Sequence, residues 1–197
     1  MRYIIVSLLV ITLLGCSPVS QLPLSTYTIE PKVVAYAAGR HQVTSKTLLL
    51  NTMLASPGYD TAKMLYVNIP FKLKAYANNA WAAPPASMLE SLLINSFRQM
   101  HYFSAVMTSP FSGRSNYVVS AKLLTLQQEF LHPVSEERMV VAVNVISTKD
   151  NSVVGERVFQ SIVPAPENNP YGGVLAANKA AQSIASQVAR YVVKVAS

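Results

Sequence analysis

Two segments of the chain repeat apolar residues at the three- and four-residue spacing of an α-helix, and this pattern constrains the fold most. The first segment starts at Pro84-Pro85 and runs to Met100, and the second spans about Tyr171 to Val195. Proline suits the first turn of a helix, where backbone amides lack partners. The apolar faces comprise Met88, Leu89, Leu92, Leu93, Phe97 and Met100 in the first segment, and Ala177, Ala180, Ala181, Ile184, Val188, Tyr191, Val192 and Val195 in the second. Each segment is predicted to be an amphipathic helix that buries this face.

The remaining segments have the composition and alternation of β-strands. Short strands are predicted at 27–29, 47–54, 63–69 and 71–76, and long strands at 117–131, 138–148 and 153–163, with an irregular loop at 32–46. Phe71, Leu73 and Ala75 alternate with Lys72, Lys74 and Tyr76, which is typical of a half-buried strand. The turn at 149–152 makes the last two strands an antiparallel hairpin, whereas the helix between strands permits a parallel crossover. We therefore expect an α+β fold with a single mixed, largely antiparallel sheet and both helices packed on one face.

The N-terminus has the pattern of a secretory signal. Arg2 precedes an uncharged, mostly apolar run at 3–14, which is too short to span a membrane comfortably. The sequence that follows, Leu13-Leu14-Gly15-Cys16, resembles the lipobox of bacterial lipoproteins. The resemblance implies a signal peptide at 1–15, cleavage before Cys16 and a covalent lipid on its thiol. A non-cleaved anchor or a free core cysteine is the alternative.

The rest of the chain is predicted to be one domain on a short tether. Residues 16–25 form the lipid-anchored tether, since 17–24 contain two prolines and no periodicity. Extended, these eight residues reach at most about 26–29 Å. Residues 26–197 form a single periplasmic α+β domain. Lipoproteins retained in the inner membrane usually carry aspartate after the cysteine; Ser17 stands there instead, so we expect the periplasmic face of the outer membrane.

No pattern in the chain predicts enzyme chemistry, so we expect a protein that is not an enzyme. Cys16 is the only cysteine, which excludes disulfides and cysteine-based sites once it carries lipid. His41, His101 and His132 lack the spacing of metal ligands, so no metal and no cofactor besides the covalent lipid is expected. Glu136-Glu137 is predicted to be a solvated pair in a turn. Gly172-Gly173 indicates either an anion site at the start of a helix or a turn leading into it.

The charge of the chain argues against nucleic-acid binding. The net charge of the whole chain is +7, and it is +6 without residues 1–15, which contain Arg2. The remaining basic residues are scattered from Lys32 to Lys194 without a run or a stripe interleaved with aromatic residues. Two interpretations stay open: attraction to anionic lipid head groups, or an ordinary solvated surface.

The most distinctive segment runs from Pro57 to Leu89. It holds, in order, Gly58-Tyr59-Asp60, Tyr66, Tyr76-Ala77-Asn78-Asn79-Ala80-Trp81, Pro85 and Met88-Leu89. This order resembles the auxiliary lipoproteins of ABC-type transport systems, the family that accompanies lipid transporters with MCE domains. The resemblance implies a non-catalytic component at the outer membrane. Its implied partners are the MCE-domain periplasmic protein, the ABC transporter complex and outer-membrane lipid.

Four aromatic residues of this segment are the candidate contacts with a partner or lipid, because aromatic side chains dominate interface anchors. They are Tyr59, Tyr66, Tyr76 and Trp81. Trp81 has a structural alternative, which is to fill the gap between a strand end and the helix start, and the strands at 138–163 are the next candidate surface. Two other functions stay open: a ring subunit of another envelope machine such as a secretion channel, or a stand-alone lipid-binding module. Assembly into a homo-oligomer is compatible with the transporter and channel functions.

Overall fold

The computed structural model describes residues 23–30 and 43–197. The predicted signal peptide, Cys16, most of the tether and the predicted loop up to residue 42 lie outside these ranges. The strands are β1 (Ser25–Tyr27), β2 (Thr47–Leu50), β3 (Leu54–Ala55), β4 (Lys63–Val67), β5 (Leu73–Trp81), β6 (Ala105–Thr108), β7 (Tyr117–Glu129), β8 (Glu136–Ser147) and β9 (Ser152–Pro164), and the helices are α1 (Pro85–Gln99) and α2 (Pro170–Ala196).

The long strand β7 organises the sheet. Along one edge it pairs in parallel with β2, then β3, then β4, each over two or three residues. Along its other edge it pairs antiparallel with β8 over its whole length, and β8 pairs antiparallel with β9. Strand β6 extends the sheet beyond β2, while β5 and then β1 extend it beyond β4. The predicted α+β class and mixed, open sheet are confirmed.

Both predicted helices form, and each buries its apolar face in one common core. Helix α2 packs on β8 and β9, and α1 packs on α2 and beside β6. The alanines of α2 are fully buried, which brings its backbone close to the sheet and lets Met139, Val141 and Val143 fill the space between them. Neither helix of the described chain combines the length and hydropathy that a membrane crossing requires.

Several predicted strand limits change for local reasons. The strand predicted at 47–54 is split into β2 and β3, because the backbone N–H of Met53 donates to the carboxylate of Glu90 on α1 at 2.7 Å instead of to a neighbouring strand. Strand β1 covers Ser25–Tyr27 rather than 27–29, and β6 was not predicted. The turn at 149–152 is confirmed, with Asn151 in the left-handed region at φ 57°.

The orientation of β5 is opposite to the alternation that the sequence suggests. Leu73 and Ala75 are exposed, whereas Tyr76 is half-buried against the core. Phe71 lies in the turn before the strand at φ 65°, with a fully exposed ring (106% relative exposure). The large aromatic ring of Tyr76 takes the inward position, and the smaller apolar side chains face solvent.

Glu136 and Glu137 do not lie in a turn; the prediction of a solvated pair is wrong. They are the first residues of β8, and their side chains point to opposite faces of the sheet. Glu137 is 3% exposed and stands opposite Gln128 of β7. Glu136 lies on the other face, beside Arg138 at 3.6 Å.

Candidate functional site

Tyr66 and Tyr76 meet on neighbouring strands. Their ring centroids are 4.6 Å apart, and Phe130 stands edge-on to Tyr66 at 6.1 Å. The Nζ atom of Lys74 lies 5.8 Å from the centroid of the Tyr66 ring. The antiparallel pairing of β4 with β5 places Tyr66 opposite Lys74, so the sheet itself brings these predicted residues together.

The hydroxyl of Tyr76 is held inside the fold. It donates to Oε1 of Gln128 at 2.8 Å, and the Gln128 amide donates to Oγ of Ser135 at 2.9 Å and to the backbone carbonyl of Asn169 at 3.2 Å. Gln128 is 1% exposed, so these three bonds satisfy a buried amide at the start of α2. The phenol ring of Tyr76 is therefore part of the packing between sheet and helix.

The pKa values of Tyr76 and of the neighbouring Glu137 are both raised. Burial raises the pKa of Tyr76, and the nearby Glu137 and Tyr66 raise it further. Burial also raises the pKa of Glu137 well above its usual value, with the negative charge of Glu129 adding to the effect. Burial thus favours the neutral form of this carboxyl over the ionised one.

A second network of polar residues lies on the face of the sheet opposite to Tyr76 and Gln128. Tyr59 donates to Oε1 of Gln127 at 2.6 Å, and the Gln127 amide donates to Glu129 at 2.7 Å. Arg138 donates to both oxygens of Glu129, at 2.8 and 3.0 Å. Burial alone would raise the pKa of Glu129, but the hydrogen bonds from Arg138 and Gln127 and the charge of Arg138 lower it. This paired network holds Tyr59 against the sheet by its hydroxyl, and part of its ring stays exposed.

Trp81 lies in the core, with 4% of its surface exposed. Its backbone N–H donates to the carbonyl of Ala62 at 2.7 Å, at the end of β5 just before α1. This position matches the structural alternative, in which the indole fills the space between a strand end and a helix start. The other three predicted contact residues, Tyr59, Tyr66 and Tyr76, are only partly buried, and contact through them stays a prediction.

A basic cleft between β9 and α2 offers a more open surface. It has a volume of about 210 Å³ and is lined by Arg157, Phe159, Gln187, Arg190, Tyr191 and Lys194. The Arg157 guanidinium lies 5.3 Å from the Phe159 ring centroid and 5.8 Å from that of Tyr191. These rings hold the guanidinium in place through cation–π contact while leaving its charge accessible.

The cations of the basic cleft carry no ion pair within the described chain. The salt bridges found there involve Arg138 only, on another part of the sheet, and no carboxylate lines the cleft. The cleft therefore presents uncompensated positive charge beside two aromatic rings. Arg157 and Phe159 belong to the strands 138–163 that were the second candidate surface, whereas the other lining residues are on α2, and no local motif marks the cleft.

A larger groove lies between β1 and the first half of α2. Its volume is about 630 Å³, within the roughly 300–1,000 Å³ of ligand-binding pockets. Tyr27, Tyr171, Val174 and Leu175 form its apolar part, and Glu30, Asn178 and Lys179 form its polar part. It is open at the surface and is bordered by Glu30, the last described residue before 31–42.

Gly172 and Gly173 are explained by close packing. A β-carbon on Gly172 would lie against the backbone carbonyl of Glu167, 2.9 Å from its carbon atom, and one on Gly173 would lie 2.8 Å from Cδ of Gln128. The start of α2 is instead capped by Asn169, whose side chain accepts from the Gly172 N–H at 2.7 Å. Among the described residues, no group of three or more His, Cys, Asp or Glu side chains is placed to hold a metal ion.

The open mixed sheet with two helices on one face defines an α+β domain, and the basic cleft is exposed on its surface. A family model described as ABC-type transport auxiliary lipoprotein component matches residues 27–189. The chain belongs to this family of membrane-anchored lipoproteins, and the resemblance seen in the segment from Pro57 to Leu89 is confirmed.

Solved structures support the fold. Protein XCC0632 from Xanthomonas campestris superposes with a TM-score of 0.79 at 18% identity, covering 87% of this chain and 96% of that one. The structure of an uncharacterized protein gives a TM-score of 0.68 at 10% identity, with coverages of 87% and 99%. No curated protein matches the chain significantly.

Proposed function

We propose that this protein is a non-catalytic auxiliary lipoprotein, anchored through Cys16 at the periplasmic face of the outer membrane. There it would dock the MCE-domain periplasmic part of an ABC-type lipid transport system. The observation that carries the proposal is the family match over residues 27–189. A docking component makes contacts rather than catalysing a reaction, and this role fits a surface made of charge and aromatic rings.

The basic cleft is the surface we assign to this docking. Arg157, Arg190 and Lys194 offer three cations without an ion pair in the described chain, and the partly exposed ring of Tyr191 adds apolar area between them. Such a surface fits an acidic segment with an apolar or aromatic residue, because arginine and aromatic side chains are the usual anchors of protein interfaces. A tether of limited reach would keep the cleft near the membrane at high effective concentration for a partner.

Photo-crosslinking from the cleft tests this assignment. A photoreactive amino acid at Gln187, on the cleft wall, should cross-link to the MCE-domain protein in intact cells, whereas the same group at Lys149 should not. Arg157→Glu with Arg190→Glu should remove the Gln187 cross-link while the protein stays in the membrane fraction. Equal cross-linking from Gln187 and Lys149, or a cross-link that survives both charge reversals, would reject the cleft as the docking surface.

The groove beside β1 favours a second candidate function, the binding of a lipid chain by the domain itself. Its volume and its apolar residues Tyr27, Val174 and Leu175 are suited to an acyl chain. Native mass spectrometry of the purified lipoprotein would then detect a non-covalent lipid in addition to the acyl groups on Cys16. Val174→Arg, which fills the groove with a charge, should remove that lipid. A parent protein that carries no additional lipid would exclude this function.

A further inference from the structure

An exposed apolar tip stands at one end of the sheet. It consists of the loop 68–72 between β4 and β5 and the loop 130–135 between β7 and β8. The two loops are adjacent because the Phe130 N–H donates to the Val67 carbonyl at 2.8 Å. Five large apolar side chains are exposed in or beside these loops: Ile69, Phe71, Leu73, Leu131 and Val134. Their clustering on two neighbouring loops makes a patch of the kind that marks an interaction surface.

Phe71 has no structural reason to be a phenylalanine. Its backbone lies in the left-handed region at φ 65°, which a bulky side chain disfavours. Its ring is 106% exposed and therefore gains no packing in the folded domain. A residue that combines an unfavourable backbone with an unburied ring indicates that the ring is used outside the domain.

The charges around the tip suit an anionic surface. Lys72 follows Phe71 directly, and Lys74 lies two residues further along the chain. The carboxylates beside the tip include Glu167, whose neighbour Asn168 donates to the Pro133 carbonyl at 2.8 Å, and Glu136, which lies 3.6 Å from Arg138. Lysines flanking exposed aromatic and aliphatic residues form the usual pattern of a protein surface that enters the head-group region of a membrane.

The N-terminal end of β1 points toward this tip. Strand β1 runs parallel to β5, with Ser25 beside Asn79, so its N-terminal end is directed toward Leu73. Six residues of β5 separate Asn79 from Leu73, about 20 Å at the rise of a strand. The eight residues 17–24 reach at most about 26–29 Å. A lipid on Cys16 can therefore lie in the same membrane surface that the tip touches.

We propose that the apolar tip inserts into the phospholipid leaflet that holds the Cys16 lipid. Phe71, Ile69, Leu131 and Val134 enter the boundary between head groups and acyl chains, and Lys72 and Lys74 contact anionic head groups. This contact gives the domain a fixed orientation that the tether alone does not provide. The basic cleft then lies off the membrane surface, since Phe159 stands about 17 Å along β9 from Pro164 at the tip end.

The orientation is testable with single cysteine probes, because acylated Cys16 leaves the processed lipoprotein without a reactive thiol. Phe71→Cys and Asn151→Cys are matched variants: both positions are turn residues with positive φ, at 65° and 57°, and they lie at opposite ends of the sheet. Each full-length processed variant carries an environment-sensitive fluorophore. Each is reconstituted into vesicles of phosphatidylethanolamine and phosphatidylglycerol whose acyl chains are brominated.

The fluorophore at residue 71 should shift to shorter wavelength and lose emission to the brominated chains, and the fluorophore at 151 should do neither. Phe71→Cys combined with Lys72→Glu and Lys74→Glu should lose most of this quenching. Equal quenching at the two positions, or none at residue 71 in vesicle-bound protein, would overturn the proposal. If the fluorophore at residue 71 shifts to shorter wavelength only when transporter subunits are added, the tip contacts a protein partner instead.

The inference rests on the lipid anchor, and the two can fail separately. If the purified protein does not float with the vesicles, it carries no lipid anchor, and both the anchor and the insertion are rejected. Protein that floats with the vesicles but leaves residue 71 in water retains the anchor and rejects the insertion alone.

Discussion

Replacing Gly173 by alanine tests the packing of α2 on the polar group at the end of β7. A β-carbon at this position would lie 2.8 Å from Cδ of Gln128 and closer still to its Oε1. Gln128 cannot move aside freely, since it is 1% exposed and its amide makes three hydrogen bonds, to Tyr76, Ser135 and Asn169. We therefore expect Gly173→Ala to disrupt this set of bonds.

The magnitude follows from the bonds that are lost. At about 1 kcal/mol for each buried hydrogen bond, displacing Gln128 costs up to ~3 kcal/mol. Alanine returns about 0.5–1 kcal/mol over glycine within a helix. Gly173→Ala should therefore lower the free energy of unfolding by about 2 kcal/mol. In a Gln128→Ala background, where the amide is absent, the same change should instead be neutral or stabilising by about 0.5 kcal/mol.

Equilibrium unfolding in urea gives the free energy of unfolding of the parent, of Gly173→Ala, of Gln128→Ala and of the double variant. The fluorescence of Trp81, the only tryptophan of the chain and a buried one, reports the transition. A cost of Gly173→Ala that is the same with and without the Gln128 side chain would refute the reasoning, because the glycine would then be needed for some other contact.

Three further predictions concern stability. Phe71→Asn should leave the free energy of unfolding unchanged or raise it by up to about 1 kcal/mol, since asparagine tolerates φ 65° and the ring is unburied; a loss in urea unfolding would contradict this. The raised pKa of Glu137 means that the unfolded chain ionises first, so stability falls as pH rises above about 4.5. Glu137→Gln should thus be more stable than the parent at pH 7 but not at pH 4. The same difference in free energy of unfolding at both pH values would contradict this effect of the raised pKa. Leu92→Asp and Ile184→Asp should each lower stability by several kcal/mol, because both side chains are buried; variants that melt like the parent would place the helical faces outward.

The helices and the final hairpin were predictable from the sequence because each has a local cause. The spacing of apolar residues in 88–100 and 177–195 determines which face of each helix is buried. Both helices begin and end within one residue of the predicted limits. The turn at 149–152 likewise brings β8 and β9 together by local backbone geometry.

The orientation of β5 and the burial of Glu137 depend on contacts far away in the sequence. Alternation leaves open which of the two faces of a strand is buried. In β5, the pairing with β4 and the hydrogen bond between Tyr76 and Gln128 select the orientation that leaves Leu73 exposed. Burial raises the pKa of Glu137, which favours the neutral carboxyl in this buried strand. Neither effect has a signal in the adjacent residues.

The basic cleft was missed for the same reason. Arg157 is on β9, whereas Arg190 and Lys194 are on α2, and only the packing of the helix against the strand joins them. In the sequence these cations are scattered, which suggested an ordinary solvated surface.

Affinity purification of the lipid-anchored protein from membranes tests the central claim most directly. The domain should carry with it an MCE-domain protein and the ATPase of an ABC transporter, identified by mass spectrometry. The amounts of both should fall sharply for Arg157→Glu with Arg190→Glu. A purification in which neither protein is enriched over an unrelated outer-membrane lipoprotein would contradict the proposed role.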